Sequence, residues 1–425
     1  MTTDHGGGRP RAGEAYDTGC VVVGGGPGGV VLAYLLARGG ARVTLLESHG
    51  DFNRRFRGDS IAPAVLDYLH TLGLADEMLE TLPHTVAGEF VWRAGGRAYV
   101  LADYRRASRR YPYYALIPQA RFLPFMAEKA AAYPGFELRM GARVGRLLRD
   151  GDGGRVNGVA YTEGGVTREL RARVVVAADG RNSKLRGLGG FTATELGAGL
   201  DVLWYAVPRT PEDPPLSGLQ LVTAPGALLA VLNQDTSWQL GYLIAAGGHG
   251  RVRERGVGAV VEAFTRELPW LRDRLFSLTD VNQLTLLPVR ITTVDTWYRP
   301  GLLLIGDAAH VISPVGGNGI NLAIADAAAT ANALLPCLLD PASPAAALDA
   351  ACREVEAVRR PPTDREQRSQ RRAERAAAAR LAKGTTAPPF VFRLFDRVPA
   401  LATLNGRQNA SLIRVPSPRS EILRA

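Results

Sequence analysis

Gly24, Gly26 and Gly29 stand in the spacing G-x-G-x-x-G, inside the run Gly24-Gly25-Gly26-Pro27-Gly28-Gly29. At that spacing the first glycine permits a tight turn, the second lets backbone approach a pyrophosphate, and the third lets a helix pack on a strand. Glu47 follows 18 residues after Gly29 and can accept hydrogen bonds from a ribose hydroxyl pair. This is the chemistry of holding a dinucleotide. Two acid–glycine pairs recur after apolar runs, Asp179-Gly180 and Gly306-Asp307. Asp307, at the end of a strand, is placed to bind a polyol hydroxyl. The glycine-rich stretch from Ser313 to Asn321 lets backbone N–H groups approach a flat ring, and the helix after it aims its positive end there.

The elements that must position these residues are legible around them. Cys20-Val21-Val22-Val23 is a β-branched run of the kind buried in a parallel sheet. A helical pattern, Val30 to Leu36, follows the glycine turn, and Val43 to Leu46 forms a second strand ending on Glu47. Val174 to Ala177 and Leu302 to Ile305 are two more buried strands. The first unit alone does not separate FAD from a nicotinamide dinucleotide. The later motifs do, because a flavin has a ribityl chain and a ring edge that gains negative charge on reduction, and a nicotinamide has neither.

Taken in order, GxGxxG at Gly24, Gly26 and Gly29, the DG motif at Asp179-Gly180 and the GD motif at Gly306-Asp307 resemble the para-hydroxybenzoate hydroxylase family of single-component FAD-dependent monooxygenases. The resemblance spans residues 20 to about 335. It implies an α/β fold: a three-layer Rossmann-like FAD-binding domain, an inserted and mostly antiparallel substrate sheet, and a helical C-terminus. It also implies that Arg57, and less closely Arg55, approach the FAD phosphates and the incoming nicotinamide. Gln119 takes the place of a polar flavin-contacting residue. Pro314 takes that of the proline beside the reactive flavin carbon, and Gly319, Ile320 and Asn321 match the set at the pyrimidine edge. The activity implied is reduction of FAD by a transient NAD(P)H, addition of O2 at the flavin C4a, and transfer of oxygen from the hydroperoxide to an electron-rich substrate.

The expected organisation is a disordered tail at 1–17, an FAD-binding domain from 18–82, 112–189 and 289–383, a substrate-binding domain from 83–111 and 190–288, and an extension at 384–425. In the middle lobe Trp204, Trp238 and Tyr242 are candidates to line an aromatic pocket. The alternative for each is plain packing of a sheet. The run from Arg368 to Arg380 reads as a solvated helix face, the stretch Arg359 to Ala382 as a helix across the FAD lobe interrupted by Pro361-Pro362, and Ser417 to Ser420 as a loose end.

Composition excludes other classes. At 46% hydrophobic and 22% charged the chain is of ordinary globular type. No stretch approaches the roughly 18 apolar residues of a membrane span, and the start lacks an apolar signal region, so the cytoplasm is expected. Cys20, Cys337 and Cys352 form no disulfide set, and the six histidines show no metal-ligand spacing. A net charge of +10 comes without a nucleic-acid motif; it is compatible with an acidic substrate or with a substrate carried on a carrier protein. The only lysines are Lys129, Lys184 and Lys383, which disfavours a flavin-dependent halogenase needing a lysine near the first domain. A flavin dehydrogenase or alkene reductase on the same scaffold is the rival that the motifs leave open. Such scaffolds serve aromatic catabolism and natural-product tailoring, and tailoring (secondary metabolism) is the favoured setting.

Overall fold

The computed structural model describes residues 16–424 apart from 54–58, 152, 198, 217 and 315–316. Residues 1–15 of the expected tail, and both Arg55 and Arg57, lie outside the described residues. Asp17 belongs to the fold, not to a tail. Its N–H donates to Arg171 O at 3.1 Å and its carboxylate accepts the Arg171 N–H at 2.7 Å.

The strand β1 (Thr18–Val23), the helix α1 (Pro27–Arg38) and the strand β2 (Val43–Leu46) form the first unit. β1 is continuously apolar because it lies mid-sheet with both faces covered. It pairs in parallel with β2 on one side and with Val166–Ala177 on the other. Leu302–Leu304 extends the sheet beyond Val166–Ala177, and Phe136–Arg139 extends it beyond β2, both in parallel. The first half of Val166–Ala177 leaves this sheet and pairs antiparallel with Val156–Glu163, which in turn pairs with Arg143–Arg149.

Behind the sheet, α1 packs against the helix Gly319–Leu339, and the helix Ala345–Ala382 packs on that. Gly319–Leu339 is long and apolar enough to cross a membrane, which corrects the expectation that no stretch approaches that length. Its Asn321, Asp326 and Thr330 break the apolar run on paper, yet all three are fully buried. Packing between α1 and the following helix accounts for its apolar character.

Ala345–Ala382 runs unbroken through Pro361 and Pro362, contrary to the expected interruption. In an α-helix the two prolines free the carbonyls four residues earlier, those of Ala357 and Val358. Both residues are exposed, so water can satisfy them. Nor is this helix solvated all round: Glu366, Gln367, Gln370 and Glu374 are buried.

The second sheet has seven strands in the order Thr285–Pro288, Leu200–Pro208, Ser237–Ala245, Ala227–Gln234, Leu219–Ala224, Glu89–Ala94, Arg97–Asp103. Only the pair Leu219–Ala224 with Glu89–Ala94 is parallel. One face packs on the helices around Gly258–Glu267, through Leu203, Leu229, Leu240 and Phe264. The other packs on Ala377, Ala378 and Leu381 of the long helix.

The C-terminal residues are not loose. Ile422 is fully buried, its carbonyl accepts from Arg38 Nε at 2.7 Å, and Asn332 Nδ2 donates to Ser417 O at 2.8 Å.

Candidate active site

A cleft of about 830 Å³ opens at the C-terminal ends of β1, β2, Val166–Ala177 and Leu302–Leu304. Ligands of open α/β sheets bind at this edge. The cleft is lined by Gly24, Gly26, Glu47, Gln119, Asp179, Gly180, Gly306, Asp307, Pro314, Gly319 and Ile320, and it continues to Thr285, Leu287 and Pro288 of the second sheet.

The three glycines of the turn do different work. Gly24 has φ +106°, and a Cβ there would lie 2.4 Å from Ala178 O. A Cβ on Gly29 would lie 1.9 Å from Gly24 O, so Gly29 sits beneath the wall and sets the approach of α1 to the turn. Gly26 is the opposite case, since a Cβ there meets no protein atom within 4 Å. The space beside Gly26 is left for something else. α1 starts directly after it with no side-chain cap, so its first N–H groups are free for an anion.

Glu47 closes the cleft at the C-terminal end of β2. Its Oε2 accepts the Gly25 N–H at 2.6 Å, and Oε1 lies 2.6 Å from His49 Nδ1. His49 also lines the cleft and was not singled out from sequence, where a lone histidine carries no pattern. Arg143, Arg181, Lys184 and Arg290 line it as well. The three arginines were missed for a different reason: arginine is spread through the whole chain and gives no local contrast, while Lys184 stands in no motif that marks it.

Asp179 faces inward. Its carboxylate accepts from Ser183 Oγ at 2.5 Å and from Leu185 N at 3.0 Å. Burial raises its pKa against the opposing effect of those hydrogen bonds. Its carboxylate thus holds the start of the helix Lys184–Leu188, while Gly180 turns the chain along the cleft. Arg181 Nε lies 3.9 Å from Asp307 Oδ2, joining the DG and GD motifs.

The GD turn hangs on a buried charge cluster. Asp326 Oδ2 accepts the Gly306 N–H at 3.0 Å and lies 2.6 Å from His310 Nε2; Oδ1 accepts from Arg359 Nε at 2.8 Å. Burial alone would raise the Asp326 pKa, but His310 and Arg359 outweigh it and hold it low. The long helix also grips the loop carrying Pro314: Ser313 N donates to Gln370 Oε1 at 2.8 Å, and Asn318 Nδ2 to Glu366 Oε1 at 3.0 Å. Asn321 does not reach the wall. It accepts the Ala62 N–H at 2.8 Å and donates to Ser60 O at 2.9 Å, fastening the strand Ser60–Ile61 to the loop.

The three aromatics proposed for a substrate pocket are not on the cleft wall. Trp238 is fully buried on the helix-facing side, donating to Asp213 Oδ2 at 2.6 Å and meeting Trp270 edge-on at 5.1 Å. Tyr242, four residues on along the same strand, shares that face. Trp204 lies on the other face, over Gly241 and near Ala377 and Ala378. Strand periodicity shows which residues share a face; it does not show which face meets the cleft.

The geometry fits FAD: a cradle a Cβ would fill at Gly26, uncapped helix amides, an acid at the ribose end, a second acid at Asp307, and the helix start at Gly319. The FAD binding domain family model matches residues 17–366. The chain is 34% identical to 6-methylpretetramide 4-monooxygenase of Streptomyces rimosus over 395 residues, 92% of each chain. It is 30% identical to phenazine 1,6-dicarboxylic acid hydroxylase of Lysobacter antibioticus, over 86% of this chain and 93% of that one. The chain belongs to the para-hydroxybenzoate hydroxylase family of FAD-dependent monooxygenases. Its fold is also that of p-nitrophenol 4-monooxygenase from Pseudomonas putida, with a TM-score of 0.69, 24% identity, and coverage of 93% of this chain and 95% of that one. As in its family, the enzyme carries FAD and uses NAD(P)H to reduce it.

Proposed function

We propose that this monooxygenase hydroxylates a planar phenolic substrate of polyketide type in natural-product tailoring. The observation that carries the reading is one continuous cleft, which runs from the phosphate cradle at Gly24–Gly28 past Pro314 to Thr285–Pro288 of the second sheet. Cofactor and substrate would share one enclosure. The relative acting on 6-methylpretetramide supplies the polyketide class, and the one acting on phenazine 1,6-dicarboxylic acid supports only a planar aromatic substrate.

In this reading the chain divides into an FAD lobe and a substrate lobe. The α1 amides and Gly24, Gly26 and Gly180 hold the pyrophosphate; Glu47 takes the ribose and Asp307 the ribityl hydroxyls. Gly319 and Ile320 present N–H groups to the pyrimidine edge, Asn321 fixes their loop, and Gln119 and Pro314 bound the ring. Arg57, outside the described residues, is assigned to the phosphates by family resemblance. Bound FAD supplies the electron transfer from NAD(P)H and the activation of O2. The protein orients the substrate and excludes water from the enclosure.

The test is NADPH consumption under air with polyphenolic substrates and isotope-labelled O2. One labelled oxygen atom in the product is the expected result. A reduced flavin that ignores O2 and discharges only to an organic acceptor would overturn the reading in favour of a dehydrogenase or reductase. Running the free phenol beside its carrier-protein thioester decides whether a carrier is needed.

A further inference from the structure

Asp59 lies where three parts of the molecule meet. The adjoining strand Ser60–Ile61 is pinned to the flavin-facing loop, with Ser60 Oγ donating to Gly317 O at 2.9 Å and Asn321 Nδ2 donating to Ser60 O. Asp59 O accepts the Ile117 N–H at 2.8 Å, and Asp59 Oδ1 accepts the Gln119 N–H at 3.3 Å. Gln119 is on the cleft wall. The other oxygen, Oδ2, accepts from Gln234 Nε2, which also donates to Gln239 Oε1 at 2.9 Å. Gln234 ends one strand of the second sheet and Gln239 lies in the next. One buried carboxylate thus joins the flavin wall to the sheet lobe.

Both of its carboxylate partners are N–H donors. An ionised carboxylate accepts from both, whereas a protonated one turns an O–H toward a donor and can satisfy only one of them well. We propose that Asp59 is a positioning residue, whose protonation state couples the seating of the second sheet, through Gln234, to the placement of Gln119 against the flavin. This rests on the FAD cleft described above and deepens it by adding a proton-linked element.

Burial raises the Asp59 pKa to about 7, against the opposing effect of its bonds to Gln119 and Gln234. The charged side chains on the elements packed around it point elsewhere. Arg121 and Asp235 are exposed, and His84 is directed to Leu82 O at 3.0 Å. The described hydrogen-bond partners of its carboxylate are both amide N–H groups, of Gln119 and Gln234.

The experiment is a pH titration of the visible flavin spectrum of the full-length holoenzyme, after flavin content has been measured. The wild type is expected to show an inflection near pH 7. Asp59→Asn should keep its flavin and lose the inflection. Gln234→Leu, which removes a bond favouring the ionised form, should move the inflection to higher pH. An inflection unchanged in Asp59→Asn, or one unmoved in Gln234→Leu, overturns the proposal. So does a flat wild-type titration. Reduced flavin content in Asp59→Asn, with an unchanged inflection in the flavin that remains bound, would show a merely structural residue, overturning the proposal and leaving the monooxygenase reading intact.

Discussion

A methyl group added at Gly29 would sit 1.9 Å from Gly24 O, whereas one added at Gly26 would meet nothing within 4 Å. Gly29→Ala must therefore displace backbone, and it should yield protein with little bound flavin and a lowered melting temperature. Gly26→Ala should leave apo stability within ~0.5 kcal/mol, like a neutral surface change. It should still weaken FAD by about tenfold or more (~1.4 kcal/mol), because the methyl occupies ligand space. Flavin fluorescence titration beside apo-protein melting separates the two. Asp59 gives a second residue-scale prediction. Its pKa rises from 3.8 unfolded to about 7 folded, so its contribution to stability is fully present below pH 4 and lost as pH climbs toward 7. The stability of Asp59→Asn relative to wild type should grow over that window and then level off, with a ceiling of order 4 kcal/mol. Denaturant melts at a series of pH values check it. The glycine roles were legible because spacing alone encodes them. Asp59 was not, since its significance depends on Gln234, 175 residues away.

At the scale of elements, strands and helices were readable from period and punctuation, and their faces were not. Trp204, Trp238 and Tyr242 fall on strands as expected, yet none of the three lies on the cleft wall, and Trp238 and Tyr242 sit under the helical layer. Trp238→Phe should leave KM unchanged and lower stability by ~1–3 kcal/mol, through the lost indole bond to Asp213, which keeps Arg274 and Thr210, and the space left by the smaller ring, measured by steady-state kinetics and thermal melting. The two prolines misled in the same way: local rules see lost N–H groups, and only the fold shows that the freed carbonyls face water. The Asp326 cluster ties three elements together. Asp326→Asn leaves Arg359 buried without its counter-charge and should cost ~3–5 kcal/mol. Because Asp326 also receives the Gly306 N–H, flavin affinity should fall with it. A variant that melts normally and binds flavin normally would refute the role assigned to the cluster.

At the scale of the whole molecule, three ordered motifs sufficed to foresee a Rossmann-like lobe, an inserted sheet and a helical end. What they did not show was how the last residues close the structure. Arg38 of α1 reaches both Leu72 O and Ile422 O, so the end of the chain is fastened to its first helix. A chain ending at Pro416 should lose ~2 kcal/mol or more from the exposed Ile422 site, seen as an earlier thermal transition with little change in KM.

The order of strands in the main sheet has a consequence for the making of the protein. β1, β2 and Val166–Ala177 leave the ribosome early, but Leu302–Leu304 and the helix that starts at Gly319 arrive only after the entire second sheet has been synthesised. Until then the growing chain shows an open sheet edge at Val175–Ala177 and an uncovered apolar surface on α1. The lining of the flavin cleft is thus complete only once the chain has grown past Ala323. The interval before that point is when nascent chains depend on chaperones and are most prone to aggregate.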